Sequence, residues 1–268
     1  MESSIQNILV EEPATVNIYD SFRLPSGRYA FESQNVKIQS LYVHGNSDRL
    51  YVFLNDAFLY KSKRVFFDRL ALGDKLDGIK VFFDDASMHV LNMIPCCYYS
   101  ILDDLEIIVR KIMLENQISP YNVVFVSSLC GGFAASYLAE NIAGAKVIAS
   151  DPVFSVMNCF PNRTRANEFL LKAGIANDEN NKNNLRLFLK NVTEENISSS
   201  FVFIINLHNA DSVKQISIYF NHYGVPSDYV RKGSVRLNNA EFIFVDDESE
   251  SESDMFEKQI LRSMNDNN

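Results

Sequence analysis

Short apolar runs recur along the chain, and each one ends in polar or turn-forming residues. They cover residues 50–56, 78–85, 122–128, 145–151, 201–211 and 241–247. Continuous apolar runs of this length are typical of parallel strands that are buried on both faces. The six runs therefore predict one sheet.

The segments between these runs have the spacing of helices. Residues 100–116 place apolar side chains at helical intervals. Residues 132–142 and 211–224 predict two more helices, and Gly224 is a suitable C-terminal stop for the second. Strands that alternate with helices form βαβ units, whose strands are parallel. The predicted fold class is therefore α/β, with a mostly parallel central sheet flanked by helices.

Three segments depart from this alternation. Residues 1–45 predict antiparallel edge strands, one of them at 38–44, and residues 161–200 predict a polar, partly helical excursion placed like a cap. The run at 246–254, DDESESESD, predicts an acidic loop of low complexity, and an amphipathic segment follows it. The chain has 268 residues and no internal repeat, so we expect a single domain over residues 1–268.

Composition and charge narrow the classes of function. The chain is 47% hydrophobic and 22% charged, which is ordinary for a soluble globular protein, and its formal charge of −9 argues against a nucleic acid as the main partner. It has no signal-peptide pattern and no run of about 18 apolar residues, so we expect a cytoplasmic protein without a membrane span. The four cysteines form neither a disulfide framework nor a zinc-ligand pattern, so we expect reduced thiols and no metal.

The stretch NVVFVSSLCGGF at residues 122–133 joins one predicted strand to a glycine pair and the start of a predicted helix. An α/β hydrolase places its nucleophile at such a turn, with small residues two positions before it and two positions after it. One alignment, Ser127-x-Leu129-x-Gly131, puts Leu129 at the nucleophile position, and leucine cannot react. A plain junction between a strand and a helix would show the same pattern.

A second alignment of the same turn, Ser128-x-Cys130-x-Gly132, puts a thiol at the nucleophile position. The start of a helix favours the reactive thiolate form of a cysteine. Free cysteine is also among the residue types that are most often buried, so Cys130 has a packing interpretation as well. Both alignments satisfy the steric requirement of the turn.

The order of three motifs resembles a known family. FVSSLCGGFAASYLAEN is followed by VIASDPVF, with Asp151 and Pro152, and then by FIINLHNAD, which ends at Asp211. This order is similar to that of the α/β-hydrolase-like proteins of bacterial surface-glycan gene clusters, which include capsular polysaccharide O-acetyltransferases and the accessory-secretion O-acetyltransferase. The resemblance covers roughly residues 40–225 and implies an α/β-hydrolase-like fold.

The catalytic residues of the family carry over unevenly. Leu129 falls on the nucleophilic serine, and Asp211 falls on the acid of the triad. The catalytic histidine should follow the last strand, but no histidine occurs after His222. The nucleophile and the base perform the bond-making and the proton transfer, so their loss favours our first hypothesis. It is a catalytically degenerate protein that binds a glycan or a protein partner in surface-glycan biosynthesis or modification.

The second hypothesis is an acyltransferase or esterase that acts on a glycan. It uses Cys130 as nucleophile, His208 as base and Asp211 to orient the histidine. Backbone N–H groups of Gly131 and of the loop around Ala57 would form the oxyanion hole. The elbow and oxyanion residues are Ala57, Ser128, Leu129, Gly131 and Gly132. This hypothesis implies acetyl-CoA as acyl donor and no other cofactor, and a lone histidine near a strand end also has a structural interpretation.

Overall fold

A computed structural model describes residues 12–33, 37–54, 69–84, 99–128, 131–152, 198–231, 233–246 and 252–263. These residues form one sheet of ten strands. The strands are β1 (Ala14–Asn17), β2 (Gly27–Glu32), β3 (Lys37–Val43), β4 (Leu50–Leu54), β5 (Ile79–Asp84), β6 (Val123–Ser128), β7 (Lys146–Ser150), β8 (Ser200–Asn206), β9 (Gly233–Leu237) and β10 (Ala240–Val245).

The sheet is mostly parallel, as the apolar runs predict. The strand order is β1-β2-β3-β5-β4-β6-β7-β8-β10-β9, and the six strands from β5 to β10 in this order are parallel to one another. Each of the six predicted runs forms one of these strands. At one end β9 joins antiparallel to β10. The carboxyl ends of the six parallel strands therefore lie along one edge.

The N-terminal strands agree with the prediction in part. β2 pairs antiparallel with β3, and β3 pairs antiparallel with β5. β1, however, pairs parallel with β2, so the expectation of antiparallel strands is wrong for β1. The connection between β1 and β2 buries Ile18 and Leu24 in the core instead of reversing in a tight hairpin, and only a connection of some length allows a parallel pair.

Five α-helices occur in the described residues: α1 (Leu70–Gly73), α2 (Tyr99–Glu115), α3 (Gly131–Asn141), α4 (Ala210–His222) and α5 (Glu252–Ser263). Buried residues of α2, α3 and α4 join the core on one face of the sheet, and buried residues of α1 and α5 join the core on the other. This confirms helices on both sides of the sheet. Within these ranges no helix is both long and apolar enough to cross a membrane.

The last part of the acidic run belongs to a helix, whereas the sequence predicts a loop there. α5 begins at Glu252, inside the predicted loop at 246–254. Phe256 and Ile260 lie one helical turn apart and are both buried, so their burial against the sheet accounts for the helix. Most of the predicted cap, residues 161–197, lies outside the described residues, as does Ala57.

The central strands are buried on both faces. In β4, Leu50, Val52 and Leu54 belong to the core under α2 and α3, while Tyr51 and Phe53 belong to the opposite core. This alternation explains why the runs read as continuously apolar, since neither face of these central strands meets water.

Candidate functional site

The carboxyl edge of the sheet is where open α/β sheets place their ligands. β6, β7, β8 and β10 end there next to one another, because Ser128 is opposite Ser150 and Asn206 is opposite Val245. The residues that follow these strand ends are the candidates for chemistry.

The junction between β6 and α3 has the context that a nucleophile elbow requires. β6 ends at Ser128 and α3 begins at Gly131, so Leu129 and Cys130 come between them in the sequence. Both of these residues lie outside the described residues. Gly131 and Gly132 are buried in the first turn of α3, and the first N–H groups of a helix have no partner inside it. The start of α3 therefore brings backbone N–H groups close to the end of β6, and their role as oxyanion donors stays a prediction.

Gly132 allows α3 to approach the end of β7. A Cβ atom at Gly132 would lie 2.6 Å from the Cβ atom of Pro152 and 3.5 Å from that of Ala149. The first distance is far below van der Waals contact, so a residue with a side chain does not fit without a shift. The packing of the helix start against Pro152 thus explains the glycine, whichever residue stands at the apex of the turn.

Ser127 is the small residue that leads into the turn. Its side chain is 1% exposed, and its Oγ has no hydrogen-bond partner among the described residues. The position therefore selects for small volume rather than for a hydroxyl group. Ser128 is half-buried at the end of the strand.

Asp151 follows β7 and holds the neighbouring turn. It is 5% exposed and has a left-handed backbone with φ of 44°. Its Oδ1 accepts the N–H of Asn206 at 2.8 Å, and its Oδ2 accepts Nδ2 of Asn209 at 2.7 Å. A buried carboxylate is stable only when hydrogen bonds satisfy it. Asp151 therefore ties the end of β7 to the turn between β8 and α4.

Hydrogen bonds between residues of the turn itself also hold the connection between β8 and α4. The side chain of Asn206 accepts the N–H of His208 at 2.9 Å, and the side chain of Asn209 accepts the N–H of Ser212 as the N-cap of α4. His208 thus stands between two asparagines that both contact Asp151. The backbone of His208 is therefore tied to the end of β7 through hydrogen bonds of its neighbours.

His208 pairs with the residue that follows β10. Its Nε2 lies 2.7 Å from Oδ1 of Asp246, and the two side chains are 59% and 33% exposed. Both groups are accessible from solvent. The described contacts therefore place an imidazole and a carboxylate together at the carboxyl edge.

Asp211 is placed differently from the role that the sequence suggests. It lies in the first turn of α4 and is exposed. The acid that His208 contacts in the described part of the chain is Asp246, because Asn209 starts α4 and the helix carries Asp211 onward, while the pairing of β8 with β10 brings Asp246 alongside. The set of Cys130, His208 and Asp211 stays a prediction.

Sequence reasoning missed Asp151, Asn209 and Asp246 as parts of this site. In the sequence Asp246 belongs to the acidic run, where nothing distinguishes it from its neighbours. A signal did exist in its position at the polar end of the last apolar run, because polar residues at the carboxyl ends of parallel strands are the candidates for a site. The described residues contain no group of three or more histidine, cysteine, aspartate or glutamate side chains that could hold a metal ion.

Comparisons with known proteins define the fold. No protein-family model matches the chain, and no curated protein has a significantly similar sequence. The capsule O-acetyltransferase of Neisseria meningitidis serogroup A is similar in structure, with a TM-score of 0.58, 11% identity and coverage of 90% of this chain and 95% of that one. A mutant of the same enzyme in complex with CoA has a TM-score of 0.55, with 11% identity and coverage of 88% and 94%.

Two further structures share the fold. The serine hydrolase FphF of Staphylococcus aureus has a TM-score of 0.55, 12% identity and coverage of 89% of this chain and 97% of that one. The glycosylation-associated Gap123 complex of Streptococcus agalactiae has a TM-score of 0.58 and 12% identity, and it covers 90% of this chain and 46% of that one. At such low identity, the comparisons establish the α/β-hydrolase fold.

Proposed function

Because the chain has the α/β-hydrolase fold, we propose that it is an acyltransferase or esterase that moves an acetyl group at a glycan hydroxyl. The observation that carries the proposal is the contact of His208 with Asp246 at the carboxyl edge of the sheet. Cys130 enters as the nucleophile from the sequence alone, through its position between β6 and α3.

The first half of the reaction forms an acetyl-enzyme. The thiol of Cys130 gives its proton to His208, and the sulfur attacks the carbonyl carbon of the acetyl donor. N–H groups at the start of α3 stabilise the negative oxygen of the tetrahedral intermediate. When the intermediate collapses, the bond between the acetyl carbon and the leaving group breaks. The leaving group takes the proton from His208.

The second half transfers the acetyl group. A hydroxyl group of the glycan, or water in an esterase, gives its proton to His208 and attacks the thioester carbon. The bond between this carbon and the sulfur then breaks, and the sulfur regains its proton from His208. The net result is one acyl transfer with no change in oxidation state.

The similar structures support a choice of donor and acceptor. One of them is a capsule O-acetyltransferase, and a mutant of that enzyme was solved with CoA. We therefore propose acetyl-CoA as donor and a surface glycan as acceptor for this chain.

The second candidate is a protein that binds without catalysis, and a specific observation favours it. In the alignment that puts Leu129 at the apex, the elbow has no nucleophile, and Asp246 stands after β10 where the family has its histidine. The similarity to the Gap123 complex supports a protein partner in this case.

One experiment separates the two candidates. The full chain is incubated with acetyl-CoA or p-nitrophenyl acetate, and peptide mass spectrometry locates any added acetyl group. The enzyme hypothesis predicts acetyl on Cys130 in the wild type, none in Cys130→Ala, and transfer slowed by about 10²–10⁴-fold in His208→Ala. Cys159→Ala is the matched thiol control and is expected to behave like the wild type.

The result that would contradict the enzyme hypothesis is an unlabelled Cys130 with both donors and no hydrolysis above that of the His208→Ala variant. The protein would then be assayed for binding to acetylated and deacetylated capsule polysaccharide.

A further inference from the structure

The histidine and the acid of this site have exchanged places relative to the usual α/β-hydrolase triad. In α/β hydrolases the chain order is nucleophile, acid, histidine. Here the imidazole of His208 follows β8, and the carboxylate of Asp246 follows the last parallel strand, β10. We infer that His208 and Asp246 form the base and its orienting acid with exchanged positions. This inference rests on the proposed function and assigns its acid.

Sheet geometry makes such an exchange feasible. β8 and β10 are parallel neighbours, with Asn206 opposite Val245, and the N–H of Leu207 donates to the carbonyl of Val245 at 3.0 Å. Paired strands lie about 4.8 Å apart. Exchanging the two side chains therefore keeps the pair at the same place on the sheet edge, with each group displaced by about one strand spacing.

The exchange also changes which ring nitrogen is used. In the usual triad the Nδ1–H of the histidine faces the acid, and Nε2 takes the proton of the nucleophile. In this protein Nε2 faces Asp246. A neutral ring that donates Nε2–H to the carboxylate presents Nδ1 as the proton acceptor. Nδ1 is therefore the nitrogen that acts as base.

The backbone that carries His208 is held by hydrogen bonds on both sides. Asn206 and Asn209, on either side of it, are both hydrogen-bonded by the buried carboxylate of Asp151. Asn206 in turn accepts the N–H of His208. Asp151 therefore fixes the backbone on both sides of His208.

The test first asks which acid faces His208. The chemical shifts of the imidazole nitrogens are measured by NMR at one fixed pH in the full-length wild type, Asp246→Ala and Asp211→Ala, and the His208 signals are identified by their absence in His208→Ala. A hydrogen bond from Nε2–H to a carboxylate favours that tautomer of the ring, so Asp246→Ala is expected to change the Nε2 and Nδ1 shifts. Asp211→Ala, the matched control, is expected to leave them in place.

The second part asks whether the pair acts as a unit. His208→Asp and Asp246→His each leave two like groups and are expected to lose acetyl transfer by about 10²-fold or more. The double variant restores the usual chain order and is expected to regain at least 10-fold over either single variant.

The two ideas fail separately. Ring-nitrogen shifts that change in Asp211→Ala and not in Asp246→Ala overturn the exchanged pair, even if acetyl transfer is found. Absence of transfer in the wild type overturns the enzyme hypothesis, whereas the NMR spectra still decide the pairing. Transfer that survives in Asp246→Ala but not in Asp211→Ala also overturns the inference.

Discussion

At the scale of single residues, one close contact can decide which residue type fits at a position of the site. Gly132 is such a position, because its missing side chain leaves room for Pro152. The sequence indicated a glycine pair at a strand-to-helix turn. It did not show which neighbour the second glycine meets, since Pro152 comes twenty residues later in the chain.

Gly132→Ala is expected to destabilise the protein by about 1–3 kcal/mol. In an open helix this change would stabilise by up to about 1 kcal/mol, because alanine favours helix. Here the added Cβ would lie 2.6 Å from the Cβ of Pro152, so the clash outweighs helix propensity. Urea unfolding measures the difference. An unchanged or higher midpoint would show that the start of α3 can move away from β7.

Asp151→Ala is expected to lower the free energy of unfolding by about 1–3 kcal/mol, because the N–H of Asn206 and the Nδ2 of Asn209 lose their acceptor. Asp228→Ala removes an exposed carboxylate and is the control, with an expected change below about 0.5 kcal/mol. Urea unfolding of both variants provides the comparison. Equal effects of the two changes would contradict the role of Asp151.

At the scale of elements, helix starts and strand ends carry the site. The helix pattern predicted α4 within one residue of its observed start. Its N-cap, Asn209, also contacts Asp151, so one side chain sets both the helix start and the turn that carries His208. Sequence alone could suggest the cap but not the second contact.

Asn209→Asp tests this double role. Aspartate caps a helix as well as asparagine does, so an isolated cap would tolerate the change. Here the new carboxylate would replace the Nδ2 that now lies 2.7 Å from Asp151. We expect a loss of stability at pH 7 that is recovered as the pH falls and one of the two carboxylates takes up a proton. Thermal unfolding between pH 4 and 8 measures it; a loss independent of pH would contradict the contact.

The C-terminal helix α5 is held to the sheet by buried side chains. Ile260→Ala in α5 is expected to lower the free energy of unfolding by about 2–5 kcal/mol, because Ile260 is fully buried against the sheet. Arg262→Ala on the exposed side of the helix is the control and is expected to change little. Urea unfolding of the two variants gives the comparison. A small effect of Ile260→Ala would mean that α5 contributes little to the fold.

At the scale of the whole molecule, burial of tyrosines makes the fold sensitive to alkaline pH. Desolvation raises the pKa of Tyr42 from 10.0 to about 12, although a hydrogen bond with Asn116 opposes the shift. Below pH 10 the hydroxyl is protonated in both states, so it adds no pH dependence. Above pH 10 the unfolded chain ionises first, and stability is lost until the folded state ionises near pH 12.

Tyr42→Phe is therefore expected to lose less stability than the wild type between pH 10 and 12, by about 1–2 kcal/mol after allowance for solvent screening. Denaturant unfolding at several pH values measures the slope. The pKa of Tyr137 is also raised to about 12, so Tyr137 contributes the same pH dependence of stability to the variant and to the wild type. Equal slopes in the variant and the wild type would contradict the assignment to Tyr42.

The sequence by itself determined the parallel sheet, the flanking helices and the succession of strand and helix around residues 123–141, because hydrophobic periodicity and glycine placement are local properties of the chain. The tertiary structure alone decided which polar residues meet. Asp151, His208 and Asp246 follow three different strands, and strand order brings them together. Periodicity carries no information about which strands become neighbours. Asp211 is nearer to His208 in sequence than Asp246 is, yet the hydrogen bond runs between the strands.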